Sequence, residues 1–297
     1  MNSFRLINPG SIDELYNQLS ERGSAGRIVA GGTDLLPAFK KEKTAVPEFV
    51  INLKSISELA DINEEETKIN VGALATHAEI VESPLIQGKA FVLAEACDKI
   101  ASWQIRNLAT VGGNIANASP AADSVPALLV LDAHLHLGSK NGHRDIKLEK
   151  YFTGPGQTVL ADGELIEKVS FSALAKDEGA AFVKLGKRKT VTLSIVSAAA
   201  YVKLSPDHLV IEDVRLAMGS VAPTPLRIKS AEALLKGSKA NQFDRQKLHE
   251  TVRKDIKPIK DVRSTAEYRL EVSAVLIERA VKLAVERART AGKGGHQ

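Results

Sequence analysis

The chain of 297 residues is poor in cysteine, in aromatic residues and in long apolar runs. Its one cysteine, Cys97, excludes an intramolecular disulfide, and a Cys-ligated iron–sulfur cluster or zinc ribbon needs more cysteines than this chain supplies. The N-terminal residues lack the apolar core of a signal peptide, and no stretch reaches the roughly 18 apolar residues of a transmembrane helix. These absences predict a cytoplasmic protein without a membrane span, and they assign any iron–sulfur cluster to a partner.

The chain also has no large excess of positive or negative charge. Forty Lys and Arg against thirty-six Asp and Glu leave a formal net charge of +4, spread over the whole length. Nucleic-acid binding needs clustered basic residues, so we expect no nucleic-acid partner. A composition of 44% hydrophobic and 26% charged residues is that of an ordinary globular protein. The length predicts two domains, at roughly 150 residues per domain.

Local patterns in the first half predict short helices and strands. Capping boxes at Ser11–Glu14 and Thr76–Glu79 predict helices, the first running to about Glu21. The other predicted elements are strands at 27–30, 49–53 and 68–72, a helix over 91–99, and a β-hairpin of 134–138 with 143–147 around a type I′ turn at Asn141-Gly142.

A change of pattern near residue 177 predicts a domain boundary. Strand-like runs at 181–185, 196–204 and 209–217 replace the glycine turns, and a long amphipathic helix is predicted over 265–290. We therefore expect one domain over residues 1–176 and a second over residues 177–297.

Two glycine pairs, Gly31-Gly32 and Gly112-Gly113, carry the main functional signal. Each pair is predicted to follow an apolar strand and to precede a helix, and Ser119-Pro120 is predicted to open a further helix. Glycine turns let backbone amides reach a phosphate, and two such turns from distant segments match a diphosphate. A plain strand-to-helix connection is the alternative for each turn alone. Neither pair lies in a Gly-x-Gly-x-x-Gly or Gly-x-x-x-x-Gly-Lys-Ser/Thr motif, so a Rossmann site and a P-loop are unsupported.

Three ordered segments resemble the FAD-binding medium subunit of the molybdenum hydroxylases, the family of the xanthine dehydrogenase and aerobic carbon monoxide dehydrogenase flavin subunits. They are Ala30–Leu36, Ile105–Ile115 and Ser119–Pro126, and later segments around Phe182–Arg188 and Tyr268–Leu276 are similar as well. The resemblance implies an α+β protein. Residues 1–176 would form a vanillyl-alcohol-oxidase-type FAD-binding domain in two subdomains. Residues 177–297 would form a smaller α+β domain of the molybdenum hydroxylase flavoprotein type, with a three-stranded antiparallel sheet.

The resemblance also implies which residues contact the cofactor. Two segments should line the diphosphate and ribityl chain of an extended FAD, namely Val29, Ala30, Gly31, Gly32, Thr33, Asp34, Leu35 and Leu36, and Ala109, Thr110, Gly112, Gly113 and Asn114. Asp123 should accept hydrogen bonds from cofactor hydroxyls, and its alternative role is a first-turn carboxylate facing a helix dipole. Ile100 and Ala101 match the segment beside the isoalloxazine ring, although a core contact would look the same.

Lys184 and Arg188 match family positions near the flavin ring, where a cation would favour the anionic reduced flavin. The alternative is a solvated basic strand end. The chain continues Lys189-Thr190-Val191 where the animal xanthine-oxidising enzymes carry acidic residues. The choice between NAD and oxygen as acceptor therefore stays open.

No metal site is predicted from the histidines. His134, His136 and His143 lie in the predicted hairpin, where the expected register places His143 opposite Lys140 and away from the other two. Surface histidines are therefore favoured. Cys97 is predicted to be a small buried residue on its helix.

The function implied by the resemblance is that of an FAD-dependent oxidoreductase subunit without catalytic residues for the hydroxylated substrate. A molybdopterin-binding large subunit would oxidise the substrate, and a small subunit with two [2Fe–2S] clusters would relay the electrons. FAD in this chain would pass them to a soluble acceptor such as NAD, in a dimer of heterotrimers. Two alternatives are a self-contained FAD-dependent oxidoreductase of the same superfamily and a flavin-free interaction protein.

Overall fold

The computed structural model describes residues 3–41, 44–188 and 192–291, and its N-terminal elements form a small parallel sheet with helical crossovers. These elements are β1 (Arg5–Ile7), α1 (Ile12–Arg22), β2 (Gly26–Val29), α2 (Leu35–Lys40) and β3 (Phe49–Asn52). Both outer strands pair in parallel with β3, in the order β1-β3-β2. Ser11 caps α1 by accepting from the Glu14 amide, as its sequence predicts. Leu15 and Ile51 are fully buried in the core between α1 and the sheet.

The second subdomain is an antiparallel sheet covered by short helices. Its elements in chain order are β4 (Ile62–Glu65), β5 (Lys68–Gly72), α3 (His77–Glu82), α4 (Pro84–Lys89), α5 (Phe91–Asp98), α6 (Trp103–Arg106), α7 (Val111–Ala116), α8 (Ser124–Val130), β6 (His134–Ser139), β7 (Gly142–Lys147), β8 (Phe152–Gly154), β9 (Gln157–Thr158) and β10 (Leu165–Ser172). The strand order is β4-β5-β10-β6-β7, with β8 and β9 as a separate ribbon. Thr76 and Glu79 form the predicted capping box at α3. Cys97 is fully buried on α5, as expected.

The predicted hairpin is confirmed, but its turn type and register are not. Ser139 pairs with Gly142, and Lys140 and Asn141 form the loop. Positive φ occurs at Gly142 (φ 126°) and not at Asn141, so this is not a type I′ turn, which needs positive φ at both central residues. His143 therefore lies opposite Gly138 rather than opposite Lys140.

The helix that was expected to open at Ser119-Pro120 begins four residues later, at Ser124. The Ser119 hydroxyl accepts from the Ala121 amide, which favours a local turn over a helix at this point. At its other end α8 closes in a Schellman arrangement, since the Ala133 amide donates to the Leu128 carbonyl and Asp132 adopts φ 52°.

The C-terminal domain is an antiparallel sheet with helices on one face. Its elements are β11 (Glu178–Leu185), β12 (Val196–Leu204), β13 (Ile211–Gly219), β14 (Leu226–Arg227), α9 (Lys229–Leu235), α10 (Arg245–Asp255) and α11 (Ala266–Ala291). The three long strands agree with the expected three-stranded sheet, and the two-residue β14 extends it at one edge. Gly179 allows α11 to lie on the sheet, because a Cβ there would be 2.1 Å from the Ala284 carbonyl oxygen.

The two faces of this C-terminal sheet pack into different cores. Ala180 and Phe182 pack into the core of the second subdomain, whereas Ala181 between them packs with α11, as the two-residue period of a strand requires. Glu95 on α5 and Arg287 on α11 join the two regions through hydrogen bonds of 2.6 and 2.7 Å. The α+β class and the two-part organisation are thus confirmed. The boundary at 176/177 stays a prediction, in the segment that joins β10 to β11.

Candidate functional site

The first glycine pair forms a turn that leaves backbone donors free. It follows β2 and precedes α2, and Gly32 adopts φ 68°, a conformation that glycine tolerates best. The first helical hydrogen bond runs from the Leu36 amide to the Gly32 carbonyl. Across the described part of the chain, no acceptor receives a hydrogen bond from the five successive amides of residues 31–35. This segment therefore carries a row of backbone donors that have no acceptor among the described residues.

The second glycine pair differs from its prediction. Gly112 and Gly113 lie in the first turn of α7, and the expected strand before them is absent from the described residues around Thr110, which forms only an isolated bridge to Thr76. Thr110 caps the helix by accepting from the Gly113 amide at 3.1 Å. The Gly112 amide donates to the Ala73 carbonyl at 2.9 Å. Because Thr110 caps a helix at this point, the Gly112 and Gly113 amides already have acceptors. This segment is therefore not a second anion-binding nest.

The two glycine segments nevertheless meet. A Cβ on Gly31 would lie 1.9 Å from the Leu108 carbonyl oxygen, and a Cβ on Gly113 would lie 3.9 Å from the Ala30 Cβ. Segments that are about 80 residues apart in sequence therefore contact each other in the fold. Gly31 is required there for backbone approach, since any side chain would displace Leu108.

Asp123 and Lys184 form a buried ion pair beside these segments. The Lys184 ammonium donates to Asp123 Oδ2 at 2.6 Å, and the side chains of the two residues are 8% and 5% exposed. Ser194 donates to the other carboxylate oxygen at 2.5 Å. Burial raises the pKa of Asp123, and the Lys184 cation opposes that rise. The alternative of a solvated strand end is wrong for Lys184, and Asp123 does not cap α8 with its side chain.

The turn at residues 99–101 adjoins this pair. Lys184 also donates to the Lys99 carbonyl at 2.8 Å, and Arg106 donates to the Ile100 carbonyl at 3.1 Å. Ala101 adopts φ 43°, a left-handed conformation that costs free energy for a residue with a Cβ and is common at functional sites. The structure thus brings Ile100 and Ala101 to the same place as Lys184.

Asn114 connects the glycine segments to the ion pair. Its Oδ1 accepts from the Ser124 hydroxyl at 2.7 Å, and Ser124 directly follows Asp123. Arg188 is exposed, three residues after the end of β11, and the positions Lys189–Val191 that follow it lie outside the described residues. The other predicted cofactor residues lie in the two glycine segments and in the 99–101 turn, except Asp123 and Lys184, which form the ion pair.

Sequence reasoning missed three residues at this place. Ser194 pairs with Asp123 across 71 positions, and Arg106 holds the 99–101 turn, although Arg106 lies inside a motif that carried the resemblance. His77 is fully buried and lacks a hydrogen-bond partner for either ring nitrogen within the described ranges. Burial, and to a lesser degree the Arg106 cation, lowers its pKa to about 4. Nothing in the local sequence around His77 indicates this burial.

Two further features bear on the class of site. Among the described side chains, no group of three or more His, Cys, Asp or Glu could hold a metal ion. Within the same residues, no helix combines the length and apolar composition needed to cross a bilayer.

Comparison with known proteins gives consistent matches over both parts of the chain. A family model described as the FAD binding domain in molybdopterin dehydrogenase matches residues 2–172, and one described as the CO dehydrogenase flavoprotein C-terminal domain matches residues 181–284. The chain is 31% identical to the carbon monoxide dehydrogenase medium chain of Hydrogenophaga pseudoflava, over 95% of this chain and 96% of that one.

Two other relatives agree with these matches. A putative xanthine dehydrogenase FAD-binding subunit of Escherichia coli (strain K12) is 30% identical, with 94% of each chain covered. The crystal structure of a Cu,Mo-CO dehydrogenase in its cyanide-inactivated form superposes with a TM-score of 0.91 at 30% identity, over 96% of this chain and 99% of that chain.

Proposed function

The chain belongs to the family of FAD-binding subunits of the molybdenum hydroxylases and binds FAD, and from this premise we propose that it is the electron-transfer subunit of such an enzyme. In this proposal it passes electrons from [2Fe–2S] clusters of a partner, through FAD, to a soluble acceptor such as NAD. Its membership in an FAD-binding family removes the flavin-free alternative.

The contact between the two glycine segments carries the proposal. Because Gly31 lies against Leu108, the five free amides of residues 31–35 and the segment from Ala109 to Asn114 face a common ligand. Each charge-assisted hydrogen bond contributes about 1.5–3 kcal/mol, so a few such amides supply a large part of the binding free energy for a diphosphate. The donors that the chain presents therefore fit the cofactor.

The other residues take positioning roles in this proposal. Lys184 joins Asp123 to the 99–101 turn, and in this proposal Ile100 and Ala101 of that turn lie beside the ring of the cofactor. Lys184, whose charge is balanced by Asp123, and Arg188 lie near that ring. Bound FAD supplies the exchange of electrons singly or in pairs, and this chain contributes binding, orientation and electrostatics.

The proposed partners carry the iron–sulfur clusters and the substrate-oxidising centre of the enzyme. One cysteine cannot ligate a [2Fe–2S] cluster, so the clusters belong to a small subunit, and a molybdopterin-binding large subunit oxidises the substrate. We propose a dimer of such heterotrimers. The rival within the superfamily is a self-contained flavin oxidoreductase.

Affinity purification of the tagged chain from its native host, with mass spectrometry and metal analysis, tests the proposal. We expect two further subunits to co-purify, together with FAD, iron and molybdenum, and we expect flavin reduction when the complex meets its substrate. A chain that purifies alone with FAD and turns over a small organic substrate would establish the self-contained oxidoreductase instead.

A further inference from the structure

A cavity of about 600 Å³ opens between the two domains, at a place distinct from the glycine segments. Residues of β5, β6 and β10 line one side of it, and residues of β12, β13 and β14 line the other. Leu131 and Asp132, directly after α8, are also part of its wall. Asp123 lies at the opposite end of this seven-residue helix, so the cavity and the buried ion pair are separated by about 10 Å of helix.

Arg215 is the principal charge in this cavity. Its guanidinium carbon lies 3.6 Å from the centre of the Tyr201 ring, and its side chain is 20% exposed. Nε is inaccessible to solvent and has no hydrogen-bond partner in the described part of the chain. The nearest carboxylate oxygen in those residues belongs to Asp213, 3.8 Å from Nε, which is beyond hydrogen-bond distance. Arg215 therefore has a loose ion pair with Asp213 and no closer carboxylate among the described residues, and an oxyanion in the cavity would supply a closer one.

The lining carries three cations, Lys68, Arg215 and Arg227, and three carboxylates, Asp132, Glu178 and Asp213. Lys68 is exposed on the cavity wall and forms no ion pair with any other described residue. Two of the lining carboxylates have cations outside the lining, since Asp132 pairs with Lys147 at 3.2 Å and Asp213 with Lys236 at 3.7 Å. Two further groups are satisfied locally: Glu178 accepts from the Ala175 amide at 2.9 Å, and Arg227 is bound by Glu232 through two bonds of 2.8 Å. Asp213 and Asp132 thus each face two cations, since Arg215 lies 3.8 Å from Asp213 and Arg227 lies 3.8 Å from Asp132. Five cations (Lys68, Arg215, Arg227, Lys147 and Lys236) surround four carboxylates (Asp132, Asp213, Glu178 and Glu232), so the described groups in and around the cavity carry an excess of one positive charge.

We propose that this cavity binds a small organic anion through a carboxylate or phosphate group, with Arg215 as its principal ligand and Lys68 as a second cation. The planar guanidinium, held in place by the Tyr201 ring, presents its donors to an oxyanion in a fixed orientation. A volume of about 600 Å³ is in the range of small-molecule sites, and the polar lining selects a polar ligand. This site is separate from the FAD site and does not depend on the proposed electron transfer.

Isothermal titration calorimetry of the full chain loaded with FAD, with inorganic phosphate and with succinate as probes, tests the proposal. We expect saturable binding of at least one probe, weakened by about tenfold or more in Arg215→Gln, which is the effect of losing a charge-assisted hydrogen bond. Lys68→Gln should weaken binding several-fold. Arg245→Gln, which changes an arginine that is 66% exposed and outside the cavity, is the matched control and should leave affinity unchanged.

Several results would overturn the proposal. One is that neither phosphate nor succinate binds saturably. Another is that Arg215→Gln binds the probe with the same affinity as the unsubstituted protein. If Arg215→Gln does not fold, Lys68→Gln is the test variant, because Lys68 is exposed and has no ion pair to lose among the described residues. Unchanged probe affinity in Lys68→Gln would then refute the site. An unaltered visible flavin spectrum in every variant separates these outcomes from a failure of FAD binding.

Discussion

The substitution Gly31→Ala tests whether the contact between the two glycine segments builds the cofactor site. The new methyl group would start 1.9 Å from the Leu108 carbonyl oxygen, whereas ordinary van der Waals contact begins near 3.4 Å. The two segments must therefore separate by about 1.5 Å, since the obstacle is backbone and not a flexible side chain. Losing one well-aligned amide donor costs about 1.5–3 kcal/mol, so FAD affinity should fall by roughly 10- to 150-fold.

Flavin fluorescence titration of the apoprotein measures this loss directly. Gly88→Ala on α4 is the matched control, because a Cβ there has no neighbour within 4 Å and alanine favours a helix. That variant should bind FAD like the unsubstituted protein. Wild-type affinity in Gly31→Ala, with a cooperative unfolding transition in both variants, would show that the contact does not shape the site.

Two further predictions concern buried groups near the same site. Lys184→Met leaves the Asp123 carboxylate buried without its cation, so the free energy of unfolding should fall by about 3–5 kcal/mol in urea denaturation. The double variant Lys184→Met/Asp123→Asn should recover part of this loss. The exposed pair of Lys147 with Asp132 is the control, and Lys147→Met should change the free energy of unfolding by less than about 1 kcal/mol. The pKa of His77 is about 4 in the folded state, against an ordinary value of 6.5. Between pH 6.5 and pH 4 the unfolded chain therefore binds a proton at this residue more readily than the folded chain does. The free energy of unfolding should fall by about 3 kcal/mol as the pH falls through that window. Urea midpoints at several pH values measure that loss, and a His77→Phe variant with the same acid dependence would contradict this assignment.

The sequence was sufficient for features that depend on local patterns. Thr76 with Glu79 predicted a capping box, and Ser11 predicted the start of α1, because a cap is set by residues three positions apart. The long helix expected over 265–290 is α11. The motif resemblance predicted the FAD family that the comparisons confirm.

Features that depend on tertiary contacts were not predictable in the same way. Gly112-Gly113 has the same composition as Gly31-Gly32, and only the capping bond from Thr110 and the contact with Ala73 place it in a helix. The ion pair of Asp123 with Lys184 spans 61 positions, and no local spacing indicates it. The stacking of Arg215 on Tyr201 depends on the register of β12 with β13, in which these two residues face each other.

The ion pair between Asp123 and Lys184 has a consequence for the order of events during synthesis. Asp123 leaves the ribosome before Lys184 does, and Ser194 follows later still. A nascent chain that ends after β10 already contains both glycine segments, but its Asp123 carboxylate has neither the ammonium nor the hydroxyl that binds it in the mature protein. Completion of this part of the proposed flavin site therefore waits until β11 and the segment before β12 have been translated and folded against it.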